Sequence, residues 1–297
     1  MEILKFNIFL FLSWFWLFVF MNKVLVFIVV FFSLFFPVES IADELLNENN
    51  KRIISLNSLG ADIVSKLDND SLVGIPGSSL LKKDTKFSEK VIVSQGRMPP
   101  SLEKIIKLKP SLVIGSEGFH DKILDKLGDL NIETLKTNTK SISELEILIK
   151  DLALYLNKNT ESIQENIKSC YLNTSKYRGS AVILASTKPL LSPNSNSWAG
   201  QLLDRFNFDN ISKDLESKTE FKGYVNLSPE IILKKKPSKI IVVSFPGRDQ
   251  NSLLANPILE KIIASNKNEI VTFNYYGLIN PGSLKTVNSA CQKLSNI

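Results

Sequence analysis

Ser101-Leu102-Glu103-Lys104-Ile105-Ile106-Lys107-Leu108-Lys109-Pro110-Ser111-Leu112-Val113-Ile114 has a counterpart 127 residues further on, Ser228-Pro229-Glu230-Ile231-Ile232-Leu233-Lys234-Lys235-Lys236-Pro237-Ser238-Lys239-Ile240-Ile241. Ser, Glu, Ile, two Lys, Pro, Ser and a final Ile recur without a gap. Each copy reads as a Ser that caps a helix, a Glu in the first turn, a short helix stopped before Pro, and then a buried strand. A shared helix, Pro and strand order points to duplication of a lobe. Two similar lobes enclose a cleft between them.

Working outward, apolar β-rich runs alternate with amphipathic stretches, the pattern of an α/β fold with parallel strands. Strands are expected at 52–56, 72–75, 91–93, 112–115, 132–135, 181–185, 239–244 and 269–273. From 141 to 178 the pattern is helical: Ile142, Leu145, Leu148, Ile149, Leu152, Leu156, Ile163 and Ile167 recur at helical spacing, with Asn157-Lys158-Asn159 as a point of division. The expected architecture is two Rossmann-like lobes with central, mostly parallel sheets, joined by a long helix and separated by a ligand cleft. The lobes run over 43–140 and 179–297, with 141–178 as the helical connector.

The 297 residues carry 36 Lys+Arg against 30 Asp+Glu and are 44% apolar, which excludes a disordered tail and a collagen. Eleven of the eighteen Phe and two of the three Trp lie in the first 42 residues. Read from Met21, this segment has the parts of a secretory signal: Lys23, an apolar run from Val24 to Phe36, and small residues at Ser40 and Ala42 where cleavage would fall. The alternative is an uncleaved anchor made of both apolar runs, which would place Asn22-Lys23 at mid-membrane depth. An exported, periplasmic and soluble product is expected, with no lipid-bearing Cys near the cleavage region. The positive excess is modest and spread out, with one Lys234-Lys235-Lys236 cluster, so nucleic acid is not an expected partner. Cys170 and Cys291 allow one disulfide, and free and paired states both stay open.

Arg52-Ile53-Ile54-Ser55-Leu56-Asn57-Ser58-Leu59-Gly60-Ala61-Asp62-Ile63 followed by Leu72-Val73-Gly74-Ile75 resembles the opening of the helical-backbone substrate-binding proteins of ABC importers. The segments from Ser101 to Ile114 and from Leu227 to Val242 resemble that family's two helix-Pro-strand blocks, and Gln201 to Ile211 resembles a further helix of its second lobe. Asn57, Ser111, Ser238 and the Phe206-Asn207-Phe208-Asp209 turn depart from the family's usual residues. The resemblance implies a non-enzymatic binding protein, monomeric, without a resident cofactor or metal. It captures a ferric siderophore, cobalamin or haem and delivers it to a membrane permease and its ATPase. It also implies that Glu103 and Glu230 dock into Arg-containing pockets of the permease, a geometry suited to bidentate Arg-carboxylate contacts. A sensor or storage module without transport is the alternative, and an exported carboxylate-based hydrolase a more distant one.

Ligand contacts in open α/β sheets sit in loops at the strand C-termini. The loops so placed offer Asn57, Ser58, Arg97, Phe119 and His120 in the first lobe, and Trp198, Phe245, Arg248, Tyr275 and Tyr276 in the second. Two Arg clamp anionic oxygens, and the aromatic rings pack a large planar ligand. A single His cannot build a site for a free transition metal. For His120, an axial contact to haem iron and an ordinary loop role are both open. No His-supported nucleophile, phosphate loop or Gly-x-Gly-x-x-Gly fingerprint is present.

Overall fold

The structure is a computed structural model that describes residues 51–95, 98–172, 176–187, 189–216, 222–246, 257, 260 and 269–297. The expected leader, Arg97 and Arg248 lie outside these residues. The first lobe holds β1 (Ile53–Ser55), α1 (Ser58–Leu67), β2 (Leu72–Gly77), β3 (Val91–Gln95), α2 (Leu102–Lys107), β4 (Leu112–Ser116), α3 (Asp121–Asp129) and β5 (Glu133–Thr137). Its five strands form a parallel sheet in the order β3-β2-β1-β4-β5. The second lobe holds β6 (Ser180–Leu184), β7 (Ser186–Thr187), β8 (Leu190–Pro193), α6 (Trp198–Arg205), β9 (Asp209–Asn210), β10 (Tyr224–Asn226), α7 (Pro229–Lys235), β11 (Lys239–Ser244) and β12 (Glu269–Asn274). Here β12-β11-β6-β9 form a second parallel sheet, and β10-β8-β7 a small antiparallel one.

The two parallel sheets share one plan. In each, the first strand (β1 or β6) lies between the strand that follows it (β2 or β9) and the strand of the repeated unit (β4 or β11). The repeat is reproduced down to its backbone: Lys109 and Lys236, 127 residues apart, both take a left-handed conformation at φ 46° where the helix ends. The Ser after each Pro pins the next strand to the first one. The Ser111 hydroxyl accepts the Arg52 N–H at 2.9 Å, and the Ser238 hydroxyl donates to the Ser180 carbonyl at 2.7 Å. Ser111 and Ser238 thus do the same structural work in the two lobes.

Consecutive strand residues point to opposite faces, which explains why these strands read as unbroken apolar runs. Ile53, Ile114, Ile183 and Ile241 enter one core that runs through both lobes. Their neighbours Ile54 and Val113 meet Ile105 of α2 and Leu124 and Leu127 of α3 on the outer face of the first lobe, and Val182 and Ile240 meet Ile232 of α7 on that of the second.

The connector is segmented and not one long helix. α4 (Ile142–Tyr155) starts at a Ser141 cap, Asn157 turns left-handed at φ 52°, and α5 (Glu161–Gln164) leads into a 3-10 stretch, Glu165–Tyr171, bent at Ile167. A last helix, α8 (Leu284–Asn296), packs along that stretch, and the two are joined by a Cys170–Cys291 disulfide. The pairing left open by the sequence is therefore settled in favour of a bond. All eight expected strands form. β7 to β10 were not expected, because each is short and rich in Ser, Asn and Pro.

Candidate functional site

Asn57 ends the β1 turn as the N-cap of α1, accepting the Gly60 N–H at 2.7 Å, while its amide donates to Thr137 at 3.1 Å. One end of its side chain thus caps α1, and the other ties the turn after β1 to the end of β5 across β4. Ser58 follows in the first turn of α1, partly exposed. After β4 the chain turns through Gly118, and Phe119 stands 84% exposed at the rim. His120 turns back: its Nδ1 accepts the Ser116 N–H at 2.9 Å. Burial lowers its pKa below the ordinary imidazole value, against a smaller raising effect of Asp121. Burial thus favours the neutral ring, and the Nδ1 contact ties His120 back to the end of β4.

The second lobe supplies an aromatic shelf. Phe245, after β11, stacks on Tyr275, after β12, with ring centroids 5.0 Å apart, and Tyr276 meets Tyr275 edge to face at 5.2 Å. Each such pair contributes about 0.5–1.5 kcal/mol beyond area burial. Burial raises the Tyr275 pKa, and Tyr224 on β10 is raised by burial and then by Tyr275 beside it. Tyr224 is a member of this group that the sequence reading missed, since its place depends on the unexpected antiparallel sheet. The expectation for Trp198 is corrected: it is 4% exposed, and its Nε1 donates to the Gly277 carbonyl at 2.8 Å. It supports the shelf from behind and offers no face to a ligand.

The turn Tyr275–Leu278 fits against α8 because Gly277 takes φ +97°, and a Cβ there would come 2.2 Å from the Thr286 carbonyl oxygen. Gly282 marks where the lobes meet: a Cβ there would lie 2.7 Å from the Tyr276 ring and 3.0 Å from Leu80, just past β2 of the first lobe. The C-terminal edges of the two sheets therefore adjoin at the shelf.

One further polar contact crosses between the lobes. Asp62, buried in α1, meets Lys66 at 2.5 Å and Lys86 at 3.1 Å and accepts the N–H of Leu284, the first residue of α8, at 2.8 Å. Burial alone would raise its pKa; Lys66, Lys86 and the Leu284 N–H outweigh burial and hold it below the ordinary carboxylate value. Its partner on α8 lies 222 residues away, so sequence spacing gives no sign of the contact.

Glu103 and Glu230 occupy the same place in the two lobes, exposed in the first turn of α2 and α7. Each helix leads into the strand of the repeated unit, β4 or β11. The Glu230 pKa is lowered by its own backbone N–H and by Ser228. Among the described residues no group of three or more His, Cys, Asp or Glu is placed to hold a metal, and no helix is long and apolar enough to cross a membrane.

Two duplicated parallel-sheet lobes whose strand ends meet at an aromatic shelf form the scaffold of a two-lobed binding protein. The chain belongs to the periplasmic binding protein family, whose model matches residues 53–275. It is similar to the ABC transporter substrate-binding lipoprotein YvrC of Bacillus subtilis (strain 168), at 26% identity over 218 residues, or 67% of this chain. That match spans 65% of the relative's length. Among solved structures it is similar to an ABC transporter substrate-binding protein from Listeria monocytogenes EGD-e, with a TM-score of 0.66, 19% identity, and 83% of this chain and 98% of that one covered. It is also similar to the periplasmic vitamin B12 binding protein BtuF of Vibrio cholerae, with a TM-score of 0.66, 19% identity, and 84% and 96% covered. At these identities the two structures speak for the fold.

Proposed function

We propose that this protein is the periplasmic substrate-binding component of an ABC importer, that it captures an iron or cobalt chelate between its lobes, and that it hands the chelate to a membrane permease driven by an ATPase. The observation that carries this reading is the pair of exposed carboxylates at matching places on the two lobes, each in the first turn of the repeated helix. Glu103 and Glu230 engage Arg pockets of the permease, one per lobe, which fixes the orientation of the complex. The ligand rests on Phe245, Tyr275 and Tyr276, faced by Ser58 and Phe119. Arg97 and Arg248, which in sequence closely follow β3 and β11, supply charge for anionic oxygens.

Replacing both Glu103 and Glu230 by Arg is expected to abolish chelate uptake by cells while leaving binding in solution unchanged; equal loss of both overturns the docking role. Titration with a ferric siderophore, cyanocobalamin and haemin, read by absorbance and by quenching of Trp198, identifies the ligand. Saturable binding of none of the three at micromolar concentration overturns the chelate assignment.

A further inference from the structure

α8 touches both lobes and is fastened at two points. In the second lobe its first turn lies against the Tyr275–Leu278 turn, with Gly277 pressed on the Thr286 carbonyl and Gly282 against the Tyr276 ring. In the first lobe its leading N–H, at Leu284, is taken by the Asp62 carboxylate. The N–H groups of Ser283 and Thr286 at this helix end are met locally, by a capping box in which each bonds the other's side chain. Asp62 is itself held in place, by Lys66 one turn on in α1 and by Lys86 from the 3-10 turn Thr85–Phe87. A carboxylate fixed by two ammonium groups is a stiff acceptor. What it grips is the helix on which the tyrosine turn rests.

We propose that Asp62 is a positioning residue for the binding site: through Leu284 it sets the distance between the Tyr275–Tyr276 shelf of the second lobe and the loop edge of the first, with α8 as the strut between them. The ligand-binding purpose of the shelf rests on the function proposed above. The strut does not, and its test is made on the ligand-free protein.

The test uses the full chain with Trp14→Phe and Trp16→Phe, which leaves Trp198 as the sole tryptophan. Its Nε1 is bonded to Gly277, so its emission reports on the turn. Asp62→Ala and Asp62→Asn are compared with Ile63→Val, a neighbouring substitution in the core of α1. With Asp62→Ala, amide exchange over 277–287 is expected to rise about tenfold or more, and Trp198 emission to move to longer wavelength. Asp62→Asn keeps an oxygen for Leu284 but loses both ammonium partners, and an intermediate rise is expected. Ile63→Val is expected to lower Tm with neither local signal changed. Loss of Tm in both Asp62 variants with exchange over 277–287 and Trp198 emission at wild-type values overturns the proposal. So does an equal change in Ile63→Val. Should Asp62→Ala not fold, the comparison of Asp62→Asn with Ile63→Val decides alone. Failure of every chelate in the titration would remove the proposed ligand and leave this result standing.

Discussion

Asp62 shows how much a single buried carboxylate depends on what surrounds it. Removing a carboxylate from water is costly, and the cost is offset here because two ammonium groups and one backbone N–H converge on it. The consequence for pH has a definite sign. The folded pKa is lowered from 3.8, so the stabilisation is fully present above that value and is lost as pH falls through the lower folded value. Thermal unfolding of wild type and of Asp62→Asn, followed from about pH 7 downward, is expected to show a difference in Tm that holds to about pH 4 and shrinks below it. A difference independent of pH down to full protonation would mean that the charge of Asp62 does not matter. At the same scale, Asn207 takes φ 56° in the turn after α6, because Asn is among the few side chains that tolerate the left-handed region. Phe206 and Phe208 beside it fill the core.

At the scale of elements, the repeated helix-Pro-strand unit is conserved in shape more strictly than in sequence. Lys109 and Lys236 both sit at φ 46°, a strained conformation for a side chain with a Cβ, and Pro follows each so that neither helix can continue. Lys109→Gly and Lys236→Gly are each expected to raise stability by about 1 kcal/mol, read as a higher Tm, with additive effects in the double variant because the sites lie in separate lobes. Destabilisation by either would show that the lysine side chain makes up for its backbone. This unit was readable because its signals are local: a Ser, an apolar face and a Pro within fourteen residues; of the two Ser expected to cap, Ser101 does so with its side chain and Ser228 does not. The central strands β1, β4, β6 and β11 were readable for the same reason, being apolar on both faces. β8 and β10 were not, since Leu190–Pro193 and Tyr224–Asn226 alternate too briefly to be told from loop and find each other only in three dimensions. Trp198 was misplaced because an aromatic residue beside a loop packs inward or outward according to tertiary neighbours, here the Gly277 carbonyl.

The whole molecule is held by a shared core, by Asp62, and by a covalent bond across 121 residues of chain. Closing a loop of that length removes unfolded-state entropy equivalent to about 5 kcal/mol in the chain-entropy model, and loss of native disulfides in small exported domains costs about 2–5 kcal/mol. Reduction, or the Cys170→Ser and Cys291→Ser pair, is therefore expected to lower Tm markedly without changing the fold. The bond also bears on how the lobes move. With the connector broken at Asn157 and bent at Ile167, a helical bridge by itself gives little stiffness. Stiffness comes from α8, which is bonded to the connector at Cys170 and to the first lobe at Asp62. If that is correct, adding a chelate that binds should change the radius of gyration in solution scattering by less than about 1 Å, as in other pre-organised sites. The same measurement on the reduced protein should give a larger value before ligand and a larger decrease after it. A closure of several ångströms with the disulfide intact would show instead that the lobes hinge, and that the segmented connector, not α8, governs their motion.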